Sequence, residues 1–217
     1  LHHILNVNRA HLIMLGEQNI ISSEELNILA TAIQSLNTES ISDAKYDGSV
    51  EDLFFFIQRE ISNACDDKNT AGKLHTARSR NDIDVTIYRL YLRTQTLELI
   101  DSVMKLRNNF FGHINKHHDS LMPAYTHTQP AQPTTIAHFL LAMTENLNRD
   151  VKRLQEAFIN MNECPLGACA ITTTGFPIDR NRVSDLLGFY KPSRNSYGSI
   201  ASVDFFTELM GAVSVLL

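Results

Sequence analysis

The chain has 217 residues, of which 43% are hydrophobic and 20% charged, so it can bury a substantial core and is not a disordered segment. Its 19 basic and 24 acidic residues give a net charge of −5, which provides no general attraction to nucleic acid or to an anionic membrane. No apolar run approaches the ~20 residues that cross a bilayer, and the first residues lack the pattern of a signal peptide. Three cysteines without a CxxC pair disfavour a disulfide framework and a thiolate zinc site. We therefore expect a cytoplasmic protein.

Helical periodicity begins near the start of the chain. Apolar residues at helical spacing predict a helix over residues 2–18, and Ser22, Ser23 and two following glutamates predict the capped start of a second helix that ends near residue 36. A third helix is expected over residues 50–64. The apolar residues that it should bury are Leu53, Phe54, Ile57 and Ile61.

One long helix is predicted over residues 82–118, since that stretch contains no proline and only Gly112 interrupts its pattern. Two apolar stripes with heptad spacing lie about 200° apart around its axis. The first stripe comprises Ile83, Leu90, Leu97, Met104 and Phe111, and the second comprises Val85, Leu92, Leu99 and Leu106. A helix that is apolar on opposite faces packs between other helices, so we expect a helix bundle.

A second long helix is predicted over residues 134–162, after a connection with three prolines and a cap at Thr134 or Thr135. Its apolar seam steps by four and three residues through Leu140, Thr144, Leu147, Val151, Leu154, Phe158 and Met161. A short helix over residues 179–187 and a further helix from about residue 197 follow. No strong strand is evident, so we predict an all-α fold with a small N-terminal helical domain (1–77) and a long antiparallel helix bundle (78–217). The last helix is uncapped at Leu217, and the chain has no initiator methionine, which indicates part of a longer protein.

Two connections carry residues suited to chemistry. The first, residues 72–82, reads GKLHTARSRND and places two arginines, hydroxyls and an amide directly before the long helix. Helix N-termini with such donors favour a carboxylate or a phosphate, although a capped helix start with surface arginines would show the same pattern.

The second connection, residues 125–133, reads YTHTQPAQP and flanks His127 with hydroxyls and amides. A histidine aimed by such neighbours suits proton transfer, although a lone loop histidine also serves as an ordinary polar contact. His113 and His117 lie four residues apart, but no HExxH pattern accompanies them, which favours a solvated helix end over a metal site.

Together, the GKLHTARSRND and THTQPAQP segments resemble the argininosuccinate lyases of the fumarase/aspartase superfamily. Further matches at residues 51–52, 165–167, 177–180 and 195–196 extend the resemblance over nearly the whole chain. The resemblance implies the long-helix bundle fold of that superfamily and a homotetramer whose active sites draw on several chains. It also implies an elimination that splits argininosuccinate into arginine and fumarate without a metal or an organic cofactor.

The resemblance also assigns roles to single residues. It implies that Arg80, Asn81 and Thr126 bind the substrate and that His127 is a catalytic acid or base. The opposite proton transfer belongs to a serine on a mobile loop, and the residues do not decide which group is the acid. The motif of that loop does not occur up to Leu217, and the N-terminal segment that contributes a binding serine in relatives is also missing.

Several positions depart from the pattern of that family. Gly198 stands in place of an acidic residue, Val203 in place of an arginine, Ala77 in place of a glycine, and Phe54 in place of a histidine. These changes bear on the amine that leaves more than on the class of reaction. Two alternatives stay open: a carbon–nitrogen lyase acting on another N-substituted aspartate, and a structural homologue without activity.

Overall fold

The computed structural model describes residues 1–217, and helices dominate it. The elements in chain order are α1 (His2–Glu17), α2 (Ser23–Ser35), α3 (Thr38–Asp43), α4 (Leu53–Ala64), α5 (Lys68–Lys73), α6 (Arg80–Lys116), β1 (Leu121–Thr126), β2 (Gln129–Thr135), α7 (Ile136–Met161), β3 (Glu163–Cys164), α8 (Arg180–Leu186), β4 (Lys191–Pro192), α9 (Ser196–Ala201) and α10 (Asp204–Leu216). The all-α prediction is confirmed, and every strand is short. None of these helices has both the length and the apolar character that crossing a membrane requires.

The three N-terminal helices of the prediction are present, with one correction. Ser22 caps α2 in a reciprocal capping box with Glu25, as the sequence predicts. The helix expected from residue 50 begins only at Leu53, because the Asp52 side chain accepts a hydrogen bond from the Phe55 backbone N–H and caps the helix there. Leu53 therefore occupies the exposed first turn, and its predicted burial is wrong, whereas the other three residues predicted to be buried, Phe54, Ile57 and Ile61, are buried. Two short helices, α3 and α5, were not predicted.

The long helix α6 has the predicted length of 37 residues, but the face it buries within one chain is not an apolar stripe. Of the two predicted stripes, Leu97, Leu106 and Phe111 are exposed, Ile83 is buried, and the other members are half-buried. The inward face instead follows a heptad spacing that includes polar residues. Its buried or partly buried members are Asp82, Thr86, Arg89, Arg93, Thr96, Ile100, Val103, Arg107, Phe110 and Ile114.

The proline-rich connection forms a hairpin of two short strands, which the sequence did not reveal. Strands β1 and β2 pair antiparallel, with Pro123 opposite Pro133 and Thr126 opposite Gln129. Proline disfavours central strands because it cannot donate to a ladder, but each strand of a two-stranded ribbon is an edge and tolerates it. The pairing register shifts between Pro123 and Tyr125, so the ribbon is irregular at that point.

Helix α7 runs antiparallel to α6, as predicted. The Arg107 guanidinium donates to the Asn148 side chain at 2.7 Å, and the Arg93 guanidinium lies 5.8 Å from the centre of the Phe158 ring. The predicted seam of α7 is buried or half-buried throughout. Of the two threonines proposed as caps, Thr135 accepts a hydrogen bond from the His138 backbone N–H at 3.1 Å and thus caps the helix.

The chain divides into two compact units. One comprises residues Leu1–Tyr91 and Asn162–Val203, and the other comprises Leu92–Met161 and Asp204–Leu217. The predicted helix at residues 179–187 is present as α8, capped by Asp179. The helix predicted from residue 197 is instead two helices, α9 and α10, because the backbone is extended at Ser202 between them. The domain boundary predicted after residue 77 stays a prediction.

Candidate functional site

The start of α6 is anchored by Asp82, whose side chain is fully buried. Its Oδ1 atom accepts a hydrogen bond from the Ser79 backbone N–H at 2.8 Å. Its Oδ2 atom accepts two more, from the backbone N–H groups of Gly167 at 2.8 Å and Cys169 at 2.9 Å. Burial raises the pKa of this carboxyl group, and the three N–H donors oppose that rise. Asp82 thus holds the loop before α6 against the loop after α7 within one unit.

Asn81 lies beside this anchor with an exposed side chain. Its side-chain N–H donates to the Ala170 carbonyl oxygen at 3.3 Å, and its backbone N–H donates to the Ser79 hydroxyl at 3.3 Å. The amide is therefore oriented by its neighbours while it stays accessible to a ligand. Its predicted role in substrate binding is compatible with this geometry and stays a prediction.

Arg80 faces a cluster of carboxylates in the same unit. Its guanidinium contacts Glu51 at 2.8 Å, pairs with Asp52, and lies 3.4 Å from Asp84. It also lies over the Phe55 ring, with 5.4 Å between the guanidinium carbon and the ring centre. Hydrogen bonding to Glu51 is the main cause that raises the pKa of Arg80. These contacts orient Arg80 and leave it less free for a substrate carboxylate than the sequence pattern suggests.

Thr126 and His127 lie at the tip of the hairpin, in the second unit. Because Thr126 pairs with Gln129, the turn between the strands consists of His127 and Thr128 alone, and both have positive φ angles, 49° and 63°. Two central residues with positive φ define the type I′ turn that two-residue hairpins favour, and glycine or asparagine normally occupies it. The Thr128 hydroxyl donates to the His127 carbonyl oxygen at 2.6 Å. The strain of this turn is the kind found at functional sites.

The four predicted site residues are thus presented as two pairs. Arg80 and Asn81 belong to the first unit, and Thr126 and His127 belong to the second. His127 is exposed, and no hydrogen bond or ion pair holds its imidazole. Arg80 and Asn81 lie at the start of the long helix α6, and Thr126 and His127 lie in the hairpin that joins α6 to α7. Regular elements of this kind are rigid supports for functional groups.

Two basic residues of the GKLHTARSRND segment, the half-buried His75 and the buried Arg78, lie near the buried His11 of α1. Burial and the nearby Arg78 lower the pKa of His75 to about 4, and they lower the pKa of His11 to about 3. One ring nitrogen of His11, Nε2, lies 2.9 Å from the Thr76 carbonyl oxygen. Burial lowers the pKa of Arg78 itself to about 9, although Asp82 opposes the shift. The two histidines are therefore neutral at pH 7, whereas Arg78 is charged.

Four positions depart from the family pattern, and each has a defined local environment. Ala77 adopts a φ of 58°, a conformation that glycine reaches without strain, which explains why glycine suits this position. Phe54 contacts the His75 ring edge to face at 5.2 Å. Gly198 lies in the first turn of α9, where its N–H donates to the Asn195 side chain at 2.9 Å, and Val203 is exposed.

Sequence reasoning missed the anchoring role of Asp82. The signal was present, because Ser79 followed three residues later by Asp82 is the spacing of a capping box. Gly167 lies in a segment that matches the family, but its structural role was not predicted: its φ is 89°, and a Cβ atom there would lie 2.8 Å from the Arg180 side chain. No local pattern in the sequence reveals that Gly167 and Cys169 bind Asp82, because the two hydrogen bonds span 85 and 87 residues.

The chain is similar to known proteins over nearly its whole length. It is 43% identical over 219 residues to Argininosuccinate lyase 2 of Agrobacterium fabrum, an alignment that covers 99% of this chain and 43% of that protein. A crystal structure of EDDS lyase in complex with formate superposes with a TM-score of 0.89 at 33% identity, covering 98% of this chain and 41% of that one. A variant of EDDS lyase is known with bound fumarate.

A more distant structure shares the fold alone. Class II fumarase from Schistosoma mansoni superposes with a TM-score of 0.81 at 15% identity, covering 99% of this chain and 53% of that one. The chain spans less than half the length of the argininosuccinate lyase that it matches. A protein family described as "Lyase" matches residues 13–217. That match covers far more than half of the chain, which therefore belongs to this lyase family.

Proposed function

We propose that this chain belongs to an argininosuccinate lyase, which eliminates fumarate from argininosuccinate and releases arginine in arginine biosynthesis. The similarity to Argininosuccinate lyase 2 of Agrobacterium fabrum supports this substrate, and the match to the lyase family supports the reaction class. We further propose a cytoplasmic enzyme that uses no metal or organic cofactor.

The proposed chemistry asks for groups of the kinds that this chain presents. A base removes a proton from the carbon beside a carboxylate, a C=C bond forms, and the C–N bond breaks as an acid protonates the departing nitrogen. Negative charge accumulates on the carboxylate during this step, so fixed hydrogen-bond donors at that carboxylate lower the barrier. Asn81 and Thr126 supply such donors in our proposal, Arg80 supports them, and His127 transfers one of the protons.

One observation carries this proposal: the strained turn that presents His127. Two residues with side chains occupy a turn that favours glycine, which costs stability, and the His127 imidazole takes part in no hydrogen bond or ion pair. A hairpin with a structural role alone would not benefit from a strained turn or from an exposed histidine. An exposed histidine next to the Thr126 hydroxyl is instead suited to reach a reacting group.

The test uses the full-length enzyme and follows fumarate formation by its ultraviolet absorbance. His127→Asn should lower kcat by about 100-fold or more, because a positioned proton-transfer group contributes ~10² to 10⁴ in rate. His118→Asn, at another exposed histidine near the end of α6, is the matched control and should retain activity. Near-normal turnover of His127→Asn would remove this residue from the mechanism, and an inactive wild-type enzyme would favour the structural homologue.

A second candidate substrate is another N-substituted aspartate, which the altered segment from Gly198 to Val203 favours. We propose that Asn81 holds a substrate carboxylate, while this later segment influences which amine leaves. Gly198→Asp fits the backbone, since the nearest atom to a Cβ there is the Asn195 Oδ1 atom at 3.7 Å.

Inhibition by fumarate separates the two roles. Asn81→Ala should weaken fumarate binding about 10- to 150-fold, the range for a lost hydrogen bond to a charged group. Gly198→Asp should change the preference among amines and leave the fumarate inhibition constant unchanged. An Asn81→Ala enzyme that binds fumarate normally would be incompatible with the assignment.

We also propose that the protein is a homotetramer in which different subunits contribute the Asn81 loop and the His127 turn to one site. The apolar residues that α6 leaves exposed within a single chain support the assembly, because such faces mark contacts with further helices.

A further inference from the structure

A polar cavity of about 190 Å³ lies in the first unit, between α1, α4, α5 and the segment that follows α5. Its polar lining comes from Asn8, Gln58, Ser62, Lys68, His75 and Arg78, and it includes two cationic groups but no acidic residue. This volume is about six times the ≈ 30 Å³ that one water molecule occupies in the liquid. The cavity therefore has room for a small organic anion.

Arg78 is the unusual member of this lining. Its side chain is 9% exposed, and its Nε and Nη1 atoms are buried without a hydrogen-bond partner. Asp82 is the acidic group that interacts with it electrostatically, but both Asp82 oxygens already accept backbone N–H groups. A buried guanidinium with unpaired N–H groups is costly unless an anion satisfies it.

The other polar groups around Arg78 are free to bind a ligand. Asn8 is buried, and its side chain makes no hydrogen bond within the chain. His75 is neutral at pH 7, since burial and Arg78 lower its pKa to about 4, so it can donate or accept. Lys68 is exposed, and neighbouring Asp67 is committed to capping α5, where it accepts from the backbone N–H groups of Asn69 and Thr70.

The apolar part of the lining narrows the class of anion. Phe54, Ile61 and Leu74 contribute hydrocarbon surface to the same cavity as the two cations. Inorganic phosphate is polar on every side and would leave that surface without a favourable contact. A short hydrocarbon chain with carboxylates at both ends matches apolar walls and two separate cations.

We propose that this cavity binds a small dicarboxylate, with one carboxylate at the buried guanidinium of Arg78 and the other at the ammonium group of Lys68. The site consists wholly of residues of one unit, and it does not depend on the proposed lyase function. Carboxylate binding would satisfy the unpaired N–H groups that the isolated chain leaves buried.

The test measures the thermal stability of the full-length protein as a function of succinate concentration, since a ligand that binds only the folded state raises Tm. Lys68→Met should shift the concentration dependence about 1.4- to 5-fold, as expected for one exposed ion pair of 0.2–1 kcal/mol. Arg78→Met should weaken binding at least 10-fold. Lys73→Met, on the same helix but outside the cavity, is the matched control and should behave like the wild type.

Two further variants keep the test decisive. Gln58→Leu preserves side-chain volume on α4 and should weaken binding even if Arg78→Met fails to fold. Asn81→Ala weakens any binding of succinate at the proposed substrate site but should retain the stabilisation that depends on Lys68 and Gln58, which separates the cavity from that site. Wild-type succinate dependence in both Lys68→Met and Gln58→Leu would overturn the proposal, as would loss of the effect in Asn81→Ala. Equal stabilisation by inorganic phosphate would overturn the dicarboxylate assignment.

Discussion

At the scale of a residue, the buried carboxylate of Asp82 determines how a loop is held. It connects the N-terminus of α6 to the loop after α7 through three backbone N–H groups, and Asn81 donates to the same loop at Ala170. Buried polar groups that are fully satisfied rigidify their surroundings. The orientation of the exposed Asn81 amide therefore depends on Asp82, which is itself buried.

Replacing this carboxylate tests that role. Asp82→Asn should reduce the free energy of unfolding by about 1–3 kcal/mol, because an amide cannot accept all three N–H groups and leaves at least one buried donor unsatisfied. Urea unfolding of the full-length protein would measure the change. Asp101→Asn, at an exposed carboxylate paired with Lys105, should stay within about 0.5 kcal/mol of the wild type. Equal effects of the two substitutions would contradict the anchoring role.

The buried histidine of α1 makes a second prediction, on pH. The pKa of His11 is lowered from 6.5 to about 3, so the folded protein binds fewer protons than the unfolded chain between these values. Its contribution to stability is present above pH 6.5 and is lost as the pH falls toward 3, at up to about 1.4 kcal/mol per pH unit. His11→Gln should reduce this dependence in urea unfolding at pH 7, 6 and 5, and part of it should remain, because the pKa of His75 is also lowered, to about 4.

At the scale of an element, the hairpin between the long helices contains the strained backbone of the candidate site. Its turn holds His127 and Thr128 at positive φ, while the flanking prolines occupy strands that have free edges. A tight two-residue turn fixes the position of His127 relative to both strands. The hairpin thus presents a polar side chain from a rigid ribbon and not from a flexible connection.

Relieving that strain should raise stability. Thr128→Gly should increase the free energy of unfolding by about 0.5–1 kcal/mol, because glycine reaches positive φ without the clash of a Cβ atom. Gln132→Gly, at an exposed position of the extended strand β2, is the matched control and should lower it, since glycine weakens strands. Urea unfolding of the two variants measures both changes in the free energy of unfolding. A less stable Thr128→Gly would show that the turn is not strained by its side chains.

At the scale of the whole molecule, exposed apolar side chains lie along three helices. They are Tyr88, Tyr91, Leu97, Leu106 and Phe111 on α6, Phe139, Leu141 and Ile159 on α7, and Phe206, Met210 and Val215 on α10. Isolated apolar residues on a surface need no explanation, but repeated ones along long helices indicate interaction surfaces. These residues support the proposed tetramer.

Light scattering tests the assembly. The full-length protein should have about four times the mass of one chain, and Leu97→Glu should reduce that mass by placing a charge on a buried contact. Tyr46→Glu, at an exposed residue in the loop before α4, should leave the mass unchanged. A monomeric wild-type protein would refute the proposal, together with the shared sites.

The sequence by itself determined the helical class, the approximate lengths of the two long helices, the cap at Ser22, and the segments that hold the candidate site. These features depend on local periodicity and on contacts three or four residues apart, which the sequence displays directly. Only the tertiary structure decided the hairpin at His127, the inward face of α6 and the cavity at Arg78. The strand pairing of the hairpin is local, but its three prolines conceal it, because proline disfavours strands. The inward face of α6 and the cavity instead depend on contacts between segments that are distant in the sequence.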